Sequence, residues 1–291
     1  MNKKIFLMID NALEVKKKVV QNIYPKHILY GFIELEDKLN ATIENYTLMN
    51  VLSKRKGDIV VTNRAKYLPL LKILGVKTIL INMNSNHDLT LYPGMKNRMI
   101  YLLNKKLYKS CDVIICLSKV QLKKLKSIGA TNIHVLPLGV DWNLIRKVKT
   151  SEEYFLSSGF DKGKNFGFVE KALEGINLKI LNGKIPLRYD QYLKALGKAK
   201  AVVFNLDVSK KSSSDLSGTT TSFEALLLGK PIFTNYQPWL KELFKENYHI
   251  YKNEKELRLL TKKNIKFKKL NYDYLTLEHF TKRLEEIIKL F

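Results

Sequence analysis

The chain has 291 residues, 45% of them hydrophobic and 10% aromatic, with only 14 Gly and 7 Pro. That is enough apolar material for two domains or one large one, and it excludes a disordered, fibrous or disulfide-stapled peptide. Fifty-one Lys plus Arg against 27 Asp plus Glu leave a net charge of +24, which favours anionic partners such as nucleic acid, phosphorylated small molecules or an acidic membrane surface.

Short β-rich apolar runs alternate with Lys-bearing amphipathic stretches, the pattern of an α/β protein. The start, Met1-Asn2-Lys3-Lys4 before a short apolar run, reads as a first strand and not as a signal peptide. In the first half strands are predicted at 4–9, 58–61, 78–81, 113–117 and 133–137, and helices at 30–39, 65–74, 96–108 and 119–128; Gly75 and Gly129 stop two of the helices. After a polar stretch at 146–153, strands resume at 154–157, 178–181, 201–205 and 231–234. A domain boundary is therefore expected near residue 148. Phe280, Leu284, Ile287, Ile288 and Phe291 fall at helical spacing and predict a final amphipathic helix over 277–291. Each half reads as a parallel sheet with helices on both faces; such sheets bind ligands beyond the carboxyl ends of their strands, so the cleft between the halves is the expected site.

No apolar run reaches the roughly 20 residues that span a bilayer. Cys111 and Cys116 suit neither a disulfide framework nor a metal knuckle and fit a reducing, cytoplasmic compartment. Residues 1–148 carry 25 basic and 10 acidic side chains, and residues 149–291 carry 26 and 17, so the first half is the more basic. Between 96 and 126 nine basic residues face one acid, Asp112, and are interleaved with Met99, Ile100, Leu102, Leu103 and Leu107. Two readings stand: a surface that lies peripherally on the anionic inner face of a membrane, or the solvated face of a Lys-rich protein.

The most informative segment is Leu216-Ser217-Gly218-Thr219-Thr220-Thr221-Ser222-Phe223-Glu224-Ala225-Leu226-Leu227-Leu228-Gly229-Lys230-Pro231. A Gly- and hydroxyl-rich loop leads into a helix that Gly229 and Pro231 end. The free N–H groups at such a helix start bind phosphate, and Glu224, one turn in, suits ribose or sugar hydroxyls. Alone, the segment would be read as a well-capped helix with a solvated Glu.

This segment resembles the "(S/E)G…(S/V)xEAxxxGKP" signature of GT-B glycosyltransferases, most closely of the retaining family 4 type. Cys111 to Ser118 followed by Val135-Leu136-Pro137-Leu138-Gly139-Val140-Asp141 is similar to the stretch that closes the family's first domain, and Tyr154 to Asn165 to the opening of its second. The resemblance covers roughly residues 58–291. It implies two Rossmann-like domains facing each other across a cleft: residues 1–148 on the acceptor side, 149–276 for the nucleotide sugar, and 277–291 as a helix packing back on the first domain.

By the same resemblance Lys164 meets the donor diphosphate, Gly159 lets the backbone approach the nucleotide, Gly218, Thr219 and Thr220 cradle phosphate, Glu224 holds the ribose, and Arg188 and Tyr189 stand where the base is contacted. His87 and Asp88, in Asn86-His87-Asp88 after the strand at 78–81, match an "HD" that faces the sugar, where a His can stabilise charge developing at the anomeric carbon. Three departures stand out: Phe160 replaces the Arg that usually precedes Lys164, Leu216 replaces the acid eight positions before Glu224, with Asp215 beside it, and the double-Gly loop after the first strand is missing, with Tyr24-Pro25 and Tyr30-Gly31 in its place.

The implied activity is metal-independent, hexosyltransferase-like transfer with retention from a UDP- or GDP-type nucleoside diphosphate sugar to a lipid-linked or glycan acceptor, with no cofactor and no bound metal: the five His show no ligand spacing and no DxD motif occurs. The alternatives are a nucleotide-sugar epimerase or degenerate GT-B scaffold and, from the charge, a nucleic-acid-binding protein or DNA-modifying glucosyltransferase. No zinc finger, helix-turn-helix or aromatic RNA-binding signature favours nucleic acid. Oligomeric state is open.

Overall fold

Apolar runs without polar alternation, such as Ile5-Phe6-Leu7-Met8-Ile9, form strands covered on both faces, as parallel sheets require. The computed structural model describes residues 3–83, 95–159, 164–182, 187–206, 219–235, 238–263, 265–269 and 271–291. The chain divides into two units, Met1–Gly139 with Tyr274–Phe291, and Val140–Asp273.

The first unit runs β1 (Ile5–Ile9), α1 (Ala12–Val20), α2 (Phe32–Leu39), β2 (Thr42–Asn45), α3 (Leu48–Leu52), β3 (Ile59–Thr62), α4 (Leu68–Ile73), β4 (Lys77–Ile81), α5 (Met95–Ser110), β5 (Val113–Cys116), α6 (Lys119–Ser127) and β6 (Ile133–Val135). Among the described residues its sheet has the order β2-β1-β3-β4-β5-β6, with every pairing parallel. Phe6, Met8, Val60, Leu80, Ile114 and Cys116 pack on one face against Leu68 and Leu71 of α4 and Leu125 of α6. The residues after β1 and β3 form a polar patch, in which Arg64 Nε lies 2.8 Å from Asp10 and Asn63 Nδ2 donates to the Tyr30 hydroxyl at 3.0 Å.

The second unit runs α7 (Trp142–Ile145), β7 (Tyr154–Ser158), α8 (Phe166–Ala172), β8 (Leu178–Leu181), α9 (Tyr189–Gly197), β9 (Ala199–Phe204), α10 (Thr219–Leu227), β10 (Ile232–Thr234), α11 (Pro238–Phe244), β11 (Tyr248–Ile250) and α12 (Glu254–Lys262). Its sheet has the order β11-β10-β9-β7-β8, again parallel. Phe155, Ala201, Val203 and Phe233 form a core with Val169 and Ala172 of α8 and Leu257 of α12.

The final helix, α13 (Leu277–Ile288), belongs to the first unit. Its Phe280, Leu284, Ile287 and Ile288 are buried, and Lys38 of α2 pairs with Glu285 at 3.8 Å. Gly31, at the start of α2, has a φ of +71° and lies so close to Thr281 that a Cβ would collide with its hydroxyl. Glycine meets both demands there, since it lacks the Cβ that the left-handed conformation and the close approach forbid.

Candidate functional site

At the carboxyl ends of the second unit's strands, the chain leaves β7 through Gly159, whose φ of +144° disfavours any side chain. A Cβ there would strike Nζ of Lys164 and stand 2.7 Å from its Cε. The Lys164 ammonium donates to the carbonyl of Ser158 and lies 4.6 Å from the centre of the Phe204 ring, a cation–π placement. Its backbone forms an antiparallel bridge with Leu206, just past β9. Asn235, just past β10, accepts the Leu206 N–H at 2.9 Å and donates to the Leu206 carbonyl at 2.7 Å. One cation is thus held by the ends of β7, β9 and β10.

Glu224 sits on α10 and is 1% exposed. The Tyr189 hydroxyl donates to its Oε1 at 2.6 Å and the Tyr192 hydroxyl to its Oε2 at 2.7 Å. The two tyrosines lie three apart on α9 and their rings stack at 5.9 Å between centroids. Burial pushes the Glu224 carboxyl from its ordinary 4.5 up to about 7, while the two hydroxyls and the Lys164 charge pull it down. The carboxylate is therefore close to half-ionised at neutral pH. Both tyrosine hydroxyls are pushed well above their usual range by burial and by the facing carboxylate.

Of the residues singled out in the sequence, the structure brings Gly159, Lys164, Tyr189 and Glu224 to one sheet end, with Thr219 buried and Thr220 half-buried at the start of α10. Arg188 stands apart: its exposed guanidinium pairs with Asp190 at 3.3 Å. His87, Asp88 and Gly218, like Phe160, Asp215 and Leu216, lie outside the described residues. Glu224 is buried, which removes the reading of a solvated helix residue. Sequence reasoning passed over Tyr192 and Asn235; Tyr-x-x-Tyr, two rings on one helical face, was the available signal for the first.

The motif that closes the first unit is structural in its details. Asp112 accepts from the backbone N–H and the hydroxyl of Thr78, each at 2.9 Å. Ser118 caps α6 through the Gln121 N–H at 3.2 Å, and Asp141 caps α7 through the Leu144 N–H at 3.3 Å. Among the described residues no group of three or more His, Cys, Asp or Glu side chains could hold a metal ion, and no helix is long and apolar enough to cross a membrane.

No family model matches the chain, and no curated protein matches it in sequence. Solved structures do match in fold. HepE (Alr3699) of Anabaena, crystallised with UDP and glucose, superposes with a TM-score of 0.66 at 14% identity over 100% of both chains. A glycosyltransferase from Rickettsia africae superposes with a TM-score of 0.60 at 12% identity, covering 100% of this chain and 99% of its own. Sucrose-phosphate synthase of Thermosynechococcus elongatus gives 0.58 at 10% identity, over 80% of this chain and 73% of its own. With two parallel sheets of the Rossmann type in one chain, and likeness to these enzymes along its length, the protein has the GT-B glycosyltransferase fold.

Proposed function

We propose that the protein is a glycosyltransferase that moves a sugar from a nucleoside diphosphate donor held by the second unit to an acceptor held by the first. The observation that carries this reading is the convergence of an anchored ammonium, Lys164, and a buried carboxylate, Glu224, beside the amino end of α10 at the carboxyl ends of parallel strands. An ammonium and the N–H groups of a helix start suit a diphosphate, and a carboxylate suits the hydroxyls of a ribose. As the glycosidic bond breaks, negative charge grows on the diphosphate, and a fixed cation stabilises that change more than the ground state. Lys164 supplies this charge without a metal ion.

The HepE complex with UDP and glucose supports a UDP-hexose donor. Retention agrees with the resemblance to the family 4 type, which gives the acceptor proton to the donor phosphate and the sugar contact to His87 and Asp88. The first unit, with its polar patch of Asp10, Asn63, Arg64 and Tyr30, is the acceptor side. A peripheral position on an anionic membrane is favoured by Met99, Leu102 and Leu103, which are 64%, 51% and 60% exposed on α5 beside exposed Lys106 and Lys109.

Thermal denaturation with UDP, GDP and ADP tests the donor site, because a ligand bound only by the native state raises the melting temperature. One of the three is expected to stabilise the wild type, and to lose that effect with Lys164→Ala. No stabilisation by any of them refutes the donor site; stabilisation by DNA that fades with salt favours a nucleic-acid partner.

A further inference from the structure

The helices that cover one face of the first unit's sheet share a property that its other helices lack. Val51 of α3, Leu68 and Leu71 of α4, Tyr108 of α5 and Leu125 of α6 pack into a single core on that face, so the four helices form one layer. Their sequences hold ten Lys or Arg and no Asp or Glu. The unit's other helices, α1, α2 and α13, hold six Lys or Arg against seven acids, and lysines there are paired, as Lys16 is with Glu36 and Lys38 with Glu285.

The same layer exposes aliphatic side chains on three neighbouring helices, since α3 packs on α4 and α4 on α5. Met49 and Leu52 on α3 are 75% and 49% exposed and Ile73 on α4 is 82% exposed, alongside the Met99, Leu102 and Leu103 of α5. Exposed Lys72, Lys123 and Lys126 carry the positive charge across α4 and α6. Leu13 and Val20 of α1 are exposed too, but Glu14 lies between them and pairs with Lys18 at 2.6 Å. A merely solvated lysine face gains nothing from aliphatic tips held in water, and neither do the phosphates of a nucleic acid, which reward charge alone. An anionic bilayer rewards both: its headgroup charge attracts the lysines, and the acyl boundary buries the aliphatic tips.

We propose that the whole α3–α6 layer, and not α5 alone, lies flat on an anionic bilayer. This rests on the membrane position read from α5 and adds to it the orientation of the first unit on the membrane. The sheet then runs parallel to the bilayer, and the strand ends that carry Asp10 and Arg64 open along its surface, about one helix diameter, roughly 10 Å, above it.

Flotation of the full chain with phosphatidylglycerol–phosphatidylcholine vesicles tests this. Lys72→Glu with Lys126→Glu, inside the layer, and Lys17→Glu with Lys282→Glu, outside it, change the net charge equally. The expected result is a fall in partition of at least roughly ten-fold for the first pair and of no more than about two-fold for the second, whose charges lie beyond the screening length from the bilayer. Met49→Ser with Ile73→Ser leaves the charge unchanged and should lower partition roughly ten-fold, because two aliphatic tips no longer insert. All six positions are exposed, and melting curves check that each variant is folded. Equal losses for the two lysine pairs overturn the layer, since attraction would then follow net charge alone. Wild-type partition in both layer variants, with loss only on exchange of Lys105, Lys106 and Lys109 for Glu, overturns the layer and leaves the α5 reading standing. Wild-type partition in Met49→Ser with Ile73→Ser alone overturns the bilayer as the layer's partner, and salt-sensitive binding of duplex DNA would then put nucleic acid in its place. Failure of the wild type to float with these vesicles overturns the α5 reading and the layer together.

Discussion

Glu224→Gln should make the second unit more stable at pH 8 than the wild type, by an amount that grows with pH. The native carboxyl titrates at about 7 against an ordinary 4.5, so at 1.36 kcal/mol per pH unit its ionised form carries a cost of about 3 kcal/mol in the folded state. The sign follows from linkage: between pH 4.5 and 7 the unfolded chain has released this proton and the native chain still holds it, so stability falls as pH rises through that window and levels above it. Burial drives the shift against the opposing pull of Tyr189, Tyr192 and Lys164. Gln keeps the shape and does not ionise. Urea unfolding can be followed by tryptophan fluorescence, because Trp142 and Trp239, the only two in the chain, both lie in the second unit. The stability difference between variant and wild type should widen by about 3 kcal/mol from pH 4.5 to 8, a midpoint shift on the order of 1 M urea or more. A difference that stays flat across this range would refute the reasoning, because the carboxyl would then titrate as an exposed one and the tyrosines would not enclose it.

Gly159→Ala should cost about 1–3 kcal/mol of stability through its backbone conformation and, by pushing Lys164 from its place, weaken pyrophosphate binding at least ten-fold; calorimetry and melting curves check both, and an unchanged affinity would mean the ammonium does not meet the diphosphate. Gly31→Ala should destabilise the first unit by roughly 2 kcal/mol or more, from φ strain and the collision with Thr281, with part of that loss recovered in a Thr281→Ala background, whose deleted hydroxyl is buried without a partner; additive losses in denaturant melts would count against the collision. Exchange of Lys105, Lys106 and Lys109 for Glu should abolish flotation with anionic vesicles and leave the low recovery with neutral ones unchanged, as a charge-driven surface requires.

The strands that form the middle of each sheet were legible because they are buried on both faces and so read as unbroken apolar runs. Thr42–Asn45 was not, since it is an edge strand whose only buried member is Ile43; nothing in Thr-Ile-Glu-Asn distinguishes it from a loop. Ala12–Val20 hid for a related reason: with Leu13 and Val20 more than half exposed, its apolar residues do not fall on one covered face. The site was legible wherever a function is written locally. A Gly before a Lys and a hydroxyl-rich helix start leading to Glu224 are neighbours in sequence as well as in space. What surrounds Glu224 is not local, because its two tyrosines come from a helix more than thirty residues earlier.

That non-local enclosure decides what the carboxylate is worth. A solvated glutamate at the same position would be fully ionised at neutral pH and open to any hydroxyl, at no cost to the fold. Burying it between two phenols raises its energy and occupies it, so that only a ligand able to replace those hydrogen bonds gains by entering. The penalty that burial places on the carboxylate near neutral pH is thus a reserve of differential interaction. Strain of this kind persists at a binding site where the fold around it is secure, and here the clamp of Asn235 on Leu206 and the bridge from Leu206 to Lys164 fix the neighbouring strand ends that carry the cation.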